Sequence, residues 1–354
     1  MRAAVDCHMV ASPRAGDAGN GRYAAQLANS LAATAHPGDD AWALVAEPGA
    51  LARLDLRVRH AGLSPNNARR LLASAPRVLS GIRADIAVFT YVGPFVGRTP
   101  VALAVHDATF VTNPEWLPAR ARVMLQRLVP LSARRADRVL ALSRTAAAEI
   151  EDALGVPGDR IRVVSPAVDP RFRPDGGAAA ARVADALGVS GRFCLAVGDV
   201  NPRKNLSALA RAVARLDDLN LVLAGSPGAT SDPVLRDPRV RWLGRVGDDD
   251  LADLYRAAAV TAFPSLHEGF GLPAVEAMAS GCPLVVSNRG ALPEVVGDAA
   301  IVTGTSTDEI AEALRAALEP TAADRLRELG PRRAAAYTVE AMGEAGWAAL
   351  GRPA

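Results

Sequence analysis

Short apolar runs alternate along this chain with longer stretches whose apolar residues recur at helical spacing. The runs at 3–10, 42–46, 86–90, 101–105, 139–142 and 161–164 read as one series of strands. Those at 193–197, 219–224, 240–243, 260–263, 284–287 and 300–302 read as a second. Runs that are apolar on both faces, with helical patterns between them, specify parallel sheets covered by helices on each side. A glycine-bearing loop at 16–21 opens a helix at 22–33, and residues 169–177, rich in proline and glycine, separate the two series as a linker. The pattern predicts an α/β chain of two Rossmann-like halves with a cleft between them. A last helical stretch, 334–350, carries Trp347.

Composition narrows the class. At 354 residues two domains fit better than one, and with half the residues hydrophobic both can bury sizeable cores. No uncharged apolar run reaches the ~18 residues of a spanning helix. The first ten residues lack the length and cleavage site of a signal peptide. Cys7, Cys194 and Cys282 lie in or beside strand-like runs without metal-ligand spacing, and read as reduced core residues of a cytoplasmic protein. The net charge of +2 conceals an asymmetry, because residues 56–138 hold 13 Arg against 4 acids. That charge is interleaved with apolar residues, which suits an anionic surface or acceptor better than a nucleic-acid arm. Within it, 117–138 carries Arg120, Arg122, Arg127, Arg134, Arg135 and Arg138. The stretch reads either as a membrane-surface helix or as a solvated basic face, with Pro130 interrupting it. Of the 40 basic residues 39 are arginine, and Lys204 alone is lysine. A compact ammonium fits a tight phosphate pocket that excludes a planar guanidinium.

The richest stretch is 263–286, Phe-Pro-Ser-Leu-His-Glu-Gly-Phe-Gly-Leu-Pro-Ala-Val-Glu-Ala-Met-Ala-Ser-Gly-Cys-Pro-Leu-Val-Val. Glu268 and Glu276 flank a Gly269-Phe270-Gly271-Leu272-Pro273 turn, followed by an Ala-rich helix in which Pro273 suits the first turn. Glycines admit close backbone approach, and a helix N-terminus offers free N–H groups to an anion. Glu276, about one turn into that helix, adds an acceptor for hydroxyls. An acidic first turn that merely stabilises a helix explains neither the glycine spacing nor the following strand. Asn201-Pro-Arg-Lys-Asn-Leu206 follows the strand at 193–197, so Arg203 and Lys204 put two cations at a strand end, where open α/β sheets bind ligands. The alternative is an exposed helix start.

These motifs resemble the Glu-x7-Glu signature and the Arg-Lys pyrophosphate clamp of retaining GT-B glycosyltransferases, family four (glycosyl transferases group 1). Gly19-Asn-Gly-Arg-Tyr23 is similar to the family's N-terminal glycine loop, with Ala18 where a glycine is common. Val105-His-Asp-Ala-Thr-Phe110 resembles a strand end that carries an active-site His, and Leu292-Pro-Glu-Val-Val-Gly-Asp-Ala-Ala300 matches the C-terminal half. The resemblance implies a GT-B fold of two Rossmann-like domains facing across a cleft. It assigns residues 1–168 to acceptor binding, with 335–354 crossing back onto them, and 169–334 to the nucleotide sugar. It implies catalytic roles for Glu268 and His106, and donor contacts from Gly19, Gly21, Arg203, Lys204, Gly269, Phe270, Gly271, Leu272 and Glu276. Many relatives carry Arg one residue after a glycine where this chain has Asp199, and Arg203 stands in for that charge.

Other candidates read more plainly. His106 also fits a structural role, and Asp107 caps the next turn. His8 is a weaker site candidate, His267 orients the loop before Glu268, and His36 and His60 are loop residues. Asp248, Asp249 and Asp250 precede a helix and read as its acidic cap rather than as a metal motif, so no metal or other cofactor is expected. The expected function is retaining transfer of a hexose-type sugar from a GDP- or UDP-sugar to a hydroxyl acceptor: a glycan, a lipid-linked glycan or a small molecule. No nucleic-acid partner is expected, and peripheral contact with the inner membrane face stays open. The alternatives are a sugar-nucleotide epimerase or phosphorylase on the same fold, or a non-catalytic nucleotide-sugar-binding protein.

Overall fold

A computed structural model describes residues 1–10, 19–175, 177–226 and 232–352. The chain divides into two compact units, Met1–Ala167 with Tyr337–Ala354, and Val168–Ala336.

In the first unit, strands β1 (Arg2–Asp6), β2 (Asp40–Val45), β3 (Arg59–Gly62), β4 (Ile86–Thr90), β5 (Val101–Ala104), β6 (Arg138–Ala141) and β7 (Ile161–Val163) form one parallel sheet, ordered β3-β2-β1-β4-β5-β6-β7. Its helices are α1 (Gly19–Ala33), α2 (Asn67–Arg69), α3 (Ala75–Gly81), α4 (Thr109–Thr112), α5 (Ala119–Arg135) and α6 (Arg144–Leu154). A π turn at Arg70–Ser74 joins α2 to α3. Phe89, Leu103 and Leu140 are fully buried, as expected of strands covered on both faces, and Phe110 of α4 and Ile150 of α6 are buried with them. Two local expectations need correction. His60 lies in β3 rather than a loop, on an edge strand whose polar sequence hides it. Helix α5 continues through Pro130 instead of stopping there.

In the second unit, β8 (Phe193–Val197), β9 (Asn220–Ala224), β10 (Val240–Gly244), β11 (Val260–Phe263), β12 (Leu284–Ser287) and β13 (Ile301–Thr303) form a second parallel sheet, ordered β10-β9-β8-β11-β12-β13. The helices are α7 (Ala179–Leu187), α8 (Leu206–Val213), α9 (Asp248–Ala257), α10 (Leu272–Ala279), α11 (Leu292–Val296), α12 (Thr307–Leu318) and α13 (Pro320–Ala334). In both sheets the order reverses once, between β1 and β4 and between β8 and β11. At such a reversal, crossover connections leave in opposite directions and open a crevice at the strand C-terminal ends.

The helix expected at 334–350 is a single helix that begins five residues later than expected, at Val339. α13 ends at Ala334, and α14 (Val339–Leu350) starts afresh, with the Thr338 side chain accepting from the Ala341 amide. α14 lies on α1 in the first unit, with Trp347 fully buried and its indole N–H donating to the Leu31 carbonyl at 3.0 Å. A Cβ on Gly343 would stand 2.3 Å from the Ser30 carbonyl oxygen, so glycine sets how closely the two helices approach.

Candidate active site

The crevice between β8 and β11 gathers most of the residues that the motifs marked. Lys204 Nζ donates to Glu268 Oε1 at 2.8 Å, Ser265 Oγ donates to the same oxygen at 2.9 Å, and Arg203 Nη1 reaches Oε2 at 3.4 Å. Burial alone would raise the Glu268 pKa. The charges of Lys204 and Arg203, with the hydrogen bonds from Lys204 and Ser265, outweigh it and hold the carboxyl down at about 2. Glu268 is therefore an ionised acceptor at any working pH and cannot serve as a proton donor. The motifs assign Glu276 to hydroxyls and the cations to phosphates; the structure ties the other carboxylate, Glu268, to both cations.

Backbone contacts fix this cluster. The Leu266 amide donates to the Arg203 carbonyl at 2.7 Å, joining the loop after β8 to the loop after β11. Asn205, left-handed at φ +53°, donates from its side chain to the carbonyls of Pro264 (3.2 Å) and Thr305 (2.9 Å). A Cβ on Gly290 would fall 2.4 Å from the Glu268 carbonyl oxygen, which accepts from the Ala291 amide at 2.8 Å. The Lys204 stem crosses Gly198 so closely that an added Cβ would lie 3.1 Å from Lys204 Cε. A bulkier guanidinium has little room there, which accounts physically for the lone lysine.

Gly271 is the N-cap of α10 at φ +92°, and its carbonyl accepts from the Ala274 amide at 2.9 Å, while Pro273 brings no N–H. Gly269 and Phe270 are buried just before it. Pro273 lies in the first turn, and Glu276 sits one turn further, 1% exposed, with Oε2 accepting from the Tyr255 hydroxyl at 3.2 Å. Asp199, the departure from the family pattern, accepts from the Ser226 amide at 2.8 Å and pairs with Arg245 at 3.0 Å. Arg245, which sequence reasoning missed, is thus a third cation brought to the strand ends. Beneath it a Cβ on Gly225 (φ +149°) would meet the Gly198 carbonyl oxygen at 2.3 Å. Asp248, Asp249 and Asp250 fill the first turn of α9 after an N-cap at Gly247, which provides no side-chain cap, and Asp249 pairs with Arg171 at 2.9 Å. Among the described residues no cluster of three or more His, Cys, Asp or Glu is placed to hold a metal ion.

The first unit has its own polar crevice, between β1 and β4. Asp6 ends β1 almost fully buried, ion-paired with the buried Arg70 and 3.0 Å from His8 Nδ1. Tyr91, just past β4, holds φ at +61°, a strain that side chains other than Gly and Asn rarely bear. Its ring and that of Tyr23 pack on His106 with centroids 5.6 and 4.9 Å away. His106 follows β5, buried, and burial pushes its pKa down to about 4, so it is a neutral imidazole near pH 7. Its Nε2 finds no hydrogen-bond partner among the described residues. Asp107 accepts from the Thr109 amide at 3.1 Å and from its hydroxyl at 2.6 Å, the turn-capping role read from sequence.

The N-terminal glycines do not form a loop where they are described. Gly19 and Gly21 occupy the first turn of α1, and a Cβ on Gly21 would press 2.8 Å from the Met9 carbonyl oxygen. The remainder of that loop, with Gly16 and Ala18, lies outside the described residues. All three cysteines are buried and unbridged. Arg203, Lys204, Glu268 to Leu272 and Glu276 are gathered in the second unit, whereas His106, Gly19 and Gly21 belong to the first.

A doubly wound sheet with cations and a helix N-terminus at its reversal is an arrangement suited to an anionic ligand. Comparison with known proteins gives the family. The model for glycosyltransferase family 4 matches residues 18–172, and that for glycosyl transferases group 1 matches 191–320. This chain belongs to the family-four, group 1 glycosyltransferases, with a GT-B fold. It is 34% identical over 210 residues to O-antigen chain mannosyltransferase B of Escherichia coli, covering 56% of this chain and 55% of that protein. It is 36% identical over 217 residues to the MMP alpha-(1->4)-mannosyltransferase of Mycolicibacterium hassiacum, covering 57% and 50%. The matches span about half the length of these curated relatives. In fold it is similar to sucrose-phosphate synthase of Thermosynechococcus elongatus, with a TM-score of 0.78 at 19% identity over 97% and 96% of the two chains. HepE of Anabaena, solved with UDP-glucose, superposes with a TM-score of 0.74 at 18% identity over 99% of each chain.

Proposed function

We propose that this protein transfers a hexose-type sugar from a nucleoside diphosphate sugar to an acceptor hydroxyl, with retention at the anomeric carbon. The observation that carries the reading is the Lys204–Glu268–Arg203 cluster beside the N-terminus of α10. A leaving diphosphate carries about two to three negative charges, and preorganised cations and backbone amides are what stabilise its departure. On this reading Arg203, Lys204 and the amides at Gly269, Phe270, Gly271 and Leu272 hold the diphosphate. Glu276, oriented by Tyr255, accepts from the ribose hydroxyls. Glu268 accepts from a sugar hydroxyl while keeping Lys204 in place.

The first unit takes the acceptor. His106, neutral and buried, offers a hydrogen bond without adding charge. With Glu268 ionised and no covalent nucleophile evident, the bond to the leaving oxygen breaks as the acceptor oxygen attacks the same face, and the acceptor proton passes to the departing diphosphate. Arg203 and Lys204 supply the charge stabilisation, so the reading invokes no metal. Mannosyltransferases and D-inositol 3-phosphate glycosyltransferases among the relatives favour a hexose-type donor and a hydroxyl acceptor.

Calorimetry with UDP, GDP, TDP and ADP tests the donor assignment. One nucleotide should bind clearly more tightly than the rest, and Lys204→Ala should abolish that tight binding. Four equally poor ligands would overturn it. Proton NMR of the product linkage tests retention, and consumption of the donor with no acceptor present would favour the epimerase alternative.

A further inference from the structure

Next to the reversal in the second unit, the C-terminal ends of β8, β9 and β10 lie side by side. The Gly198 amide donates to the Ala224 carbonyl at 2.9 Å, the Val200 amide to the Ser226 carbonyl at 3.0 Å, and the Gly225 amide to the Gly244 carbonyl at 2.7 Å. Arg245, the first residue past β10, runs its side chain back across all three ends. Its Nε donates to Ser226 Oγ at 3.1 Å and its Nη2 to Asp199 Oδ2 at 3.0 Å. Asp199 is fixed in turn by the Ser226 amide, which donates to Oδ1 at 2.8 Å.

The N–H groups of a guanidinium lie in its plane, so bonds to two separate partners set its tilt as well as its place. The Arg245 side chain nevertheless keeps 48% of its surface in water, and that of Asp199 keeps 51%. An ion pair so exposed contributes little to the fold. Its ordered geometry calls for another use.

We propose that the Arg245 guanidinium is the platform on which the nucleobase of the donor stacks, an inference that rests on the nucleoside diphosphate sugar reading above. Lys204 crosses Gly198, the residue before Asp199, so the platform lies beside the cations assigned to the diphosphate. Arg245 also stands three residues before α9, whose Tyr255 orients Glu276, the residue assigned to the ribose. The platform is thus flanked by the groups that take the two parts of a nucleotide next to its base. Charge decides against a phosphate on Arg245 itself. The Asp199 carboxylate offsets the guanidinium charge and repels an anion drawn to it, whereas a base is neutral and flat. A guanidinium offers a flat ring its face, and an ammonium has none.

Calorimetry of the full chain with inorganic pyrophosphate beside UDP, GDP, TDP and ADP tests this. The best-bound nucleotide should bind more tightly than pyrophosphate. Arg245→Ala should weaken that nucleotide about tenfold and leave pyrophosphate unchanged. Arg245→Lys, charged without a plane, should lose nearly as much. Arg245→Tyr, flat without a charge, should lose less than the alanine variant. All three should keep the wild-type melting temperature. Pyrophosphate weakened together with the nucleotide overturns the proposal, since Arg245 then serves the phosphates or braces the Lys204 loop. Full nucleotide affinity in the lysine variant overturns it too, because charge alone then suffices. If pyrophosphate binds and no nucleotide binds better, the platform fails while the diphosphate site stands. If neither binds, the donor reading fails and the platform with it.

Discussion

Replacing Lys204 by Met keeps most of the apolar stem and removes the ammonium 2.8 Å from Glu268. In the folded protein Glu268 titrates at about 2 instead of 4.5, in spite of burial. That depression corresponds to about 3 kcal/mol of stability at neutral pH. Because the folded pKa is the lower one, this stability is present above about pH 4.5 and is lost as pH falls toward 2. Lys204 is the first of the groups that hold the carboxylate down; without it Arg203 and Ser265 remain, and burial pushes the pKa back up. Breaking one side of a buried pair costs about 3–5 kcal/mol, and the remaining partners reduce this to about 2–3 kcal/mol for Lys204→Met. Adding Glu268→Gln to that variant should recover most of the stability, with a coupling of about 2 kcal/mol in the double-mutant cycle. Urea unfolding followed by circular dichroism measures the cycle, and calorimetry with nucleotides runs beside it. The double variant should be stable yet still fail to bind nucleotide. Single variants within about 0.5 kcal/mol of wild type would refute the idea that this pair organises the loops, because exposed pairs alone behave that way.

His106 gives an acid effect in a separate window: its pKa falls from 6.5 to about 4 on burial, so stability is full above pH 6.5 and declines as pH drops toward 4. About 2 kcal/mol should disappear between pH 7 and pH 5 in urea titrations, and His106→Phe should flatten that slope; an unchanged slope would contradict the burial argument. Tyr255→Phe removes the hydroxyl that donates to Glu276 at 3.2 Å, and should weaken nucleotide affinity about 3- to 10-fold by calorimetry with little change in melting temperature. Gly225→Ala drives a Cβ to 2.3 Å from the Gly198 carbonyl at a backbone angle that L-residues avoid. It should destabilise the second unit by more than about 1–3 kcal/mol in denaturant, and an alanine variant of native stability would refute the contact.

Most strands could be read from the sequence because parallel strands buried on both faces are continuous apolar runs, as at 193–197 and 260–263. β3 could not, since Arg59-His60-Ala61-Gly62 is an edge strand with no run of its own. Pro130 misled because a proline inside a helix removes one hydrogen bond, and the packing of Val129 and Ala133 outweighs that loss. In the site, Arg203, Lys204, Glu268 and Glu276 were legible as local motifs at strand ends. Their supports were not, because each partner is remote in sequence: Asn205 reaches Thr305 and Arg245 reaches Asp199. Ser265 is the exception, only three residues before Glu268, and a hydroxyl so near a candidate carboxylate was a usable signal. Gly290 had none, since its need for glycine comes from the Glu268 backbone beside it.

The seating of α14 on α1 also bears on how the chain is made. Trp347 closes over Leu31, which left the ribosome 316 residues earlier. At about 5–20 residues per second, Leu27 and Leu31 wait roughly 15–60 s for the helix that covers them. The second unit, encoded wholly between the two pieces of the first, has all its strands and helices available before that seal exists. The earliest-made half is therefore the last to be finished. During that interval the uncovered face of α1 is the apolar surface a chaperone would meet on the growing chain.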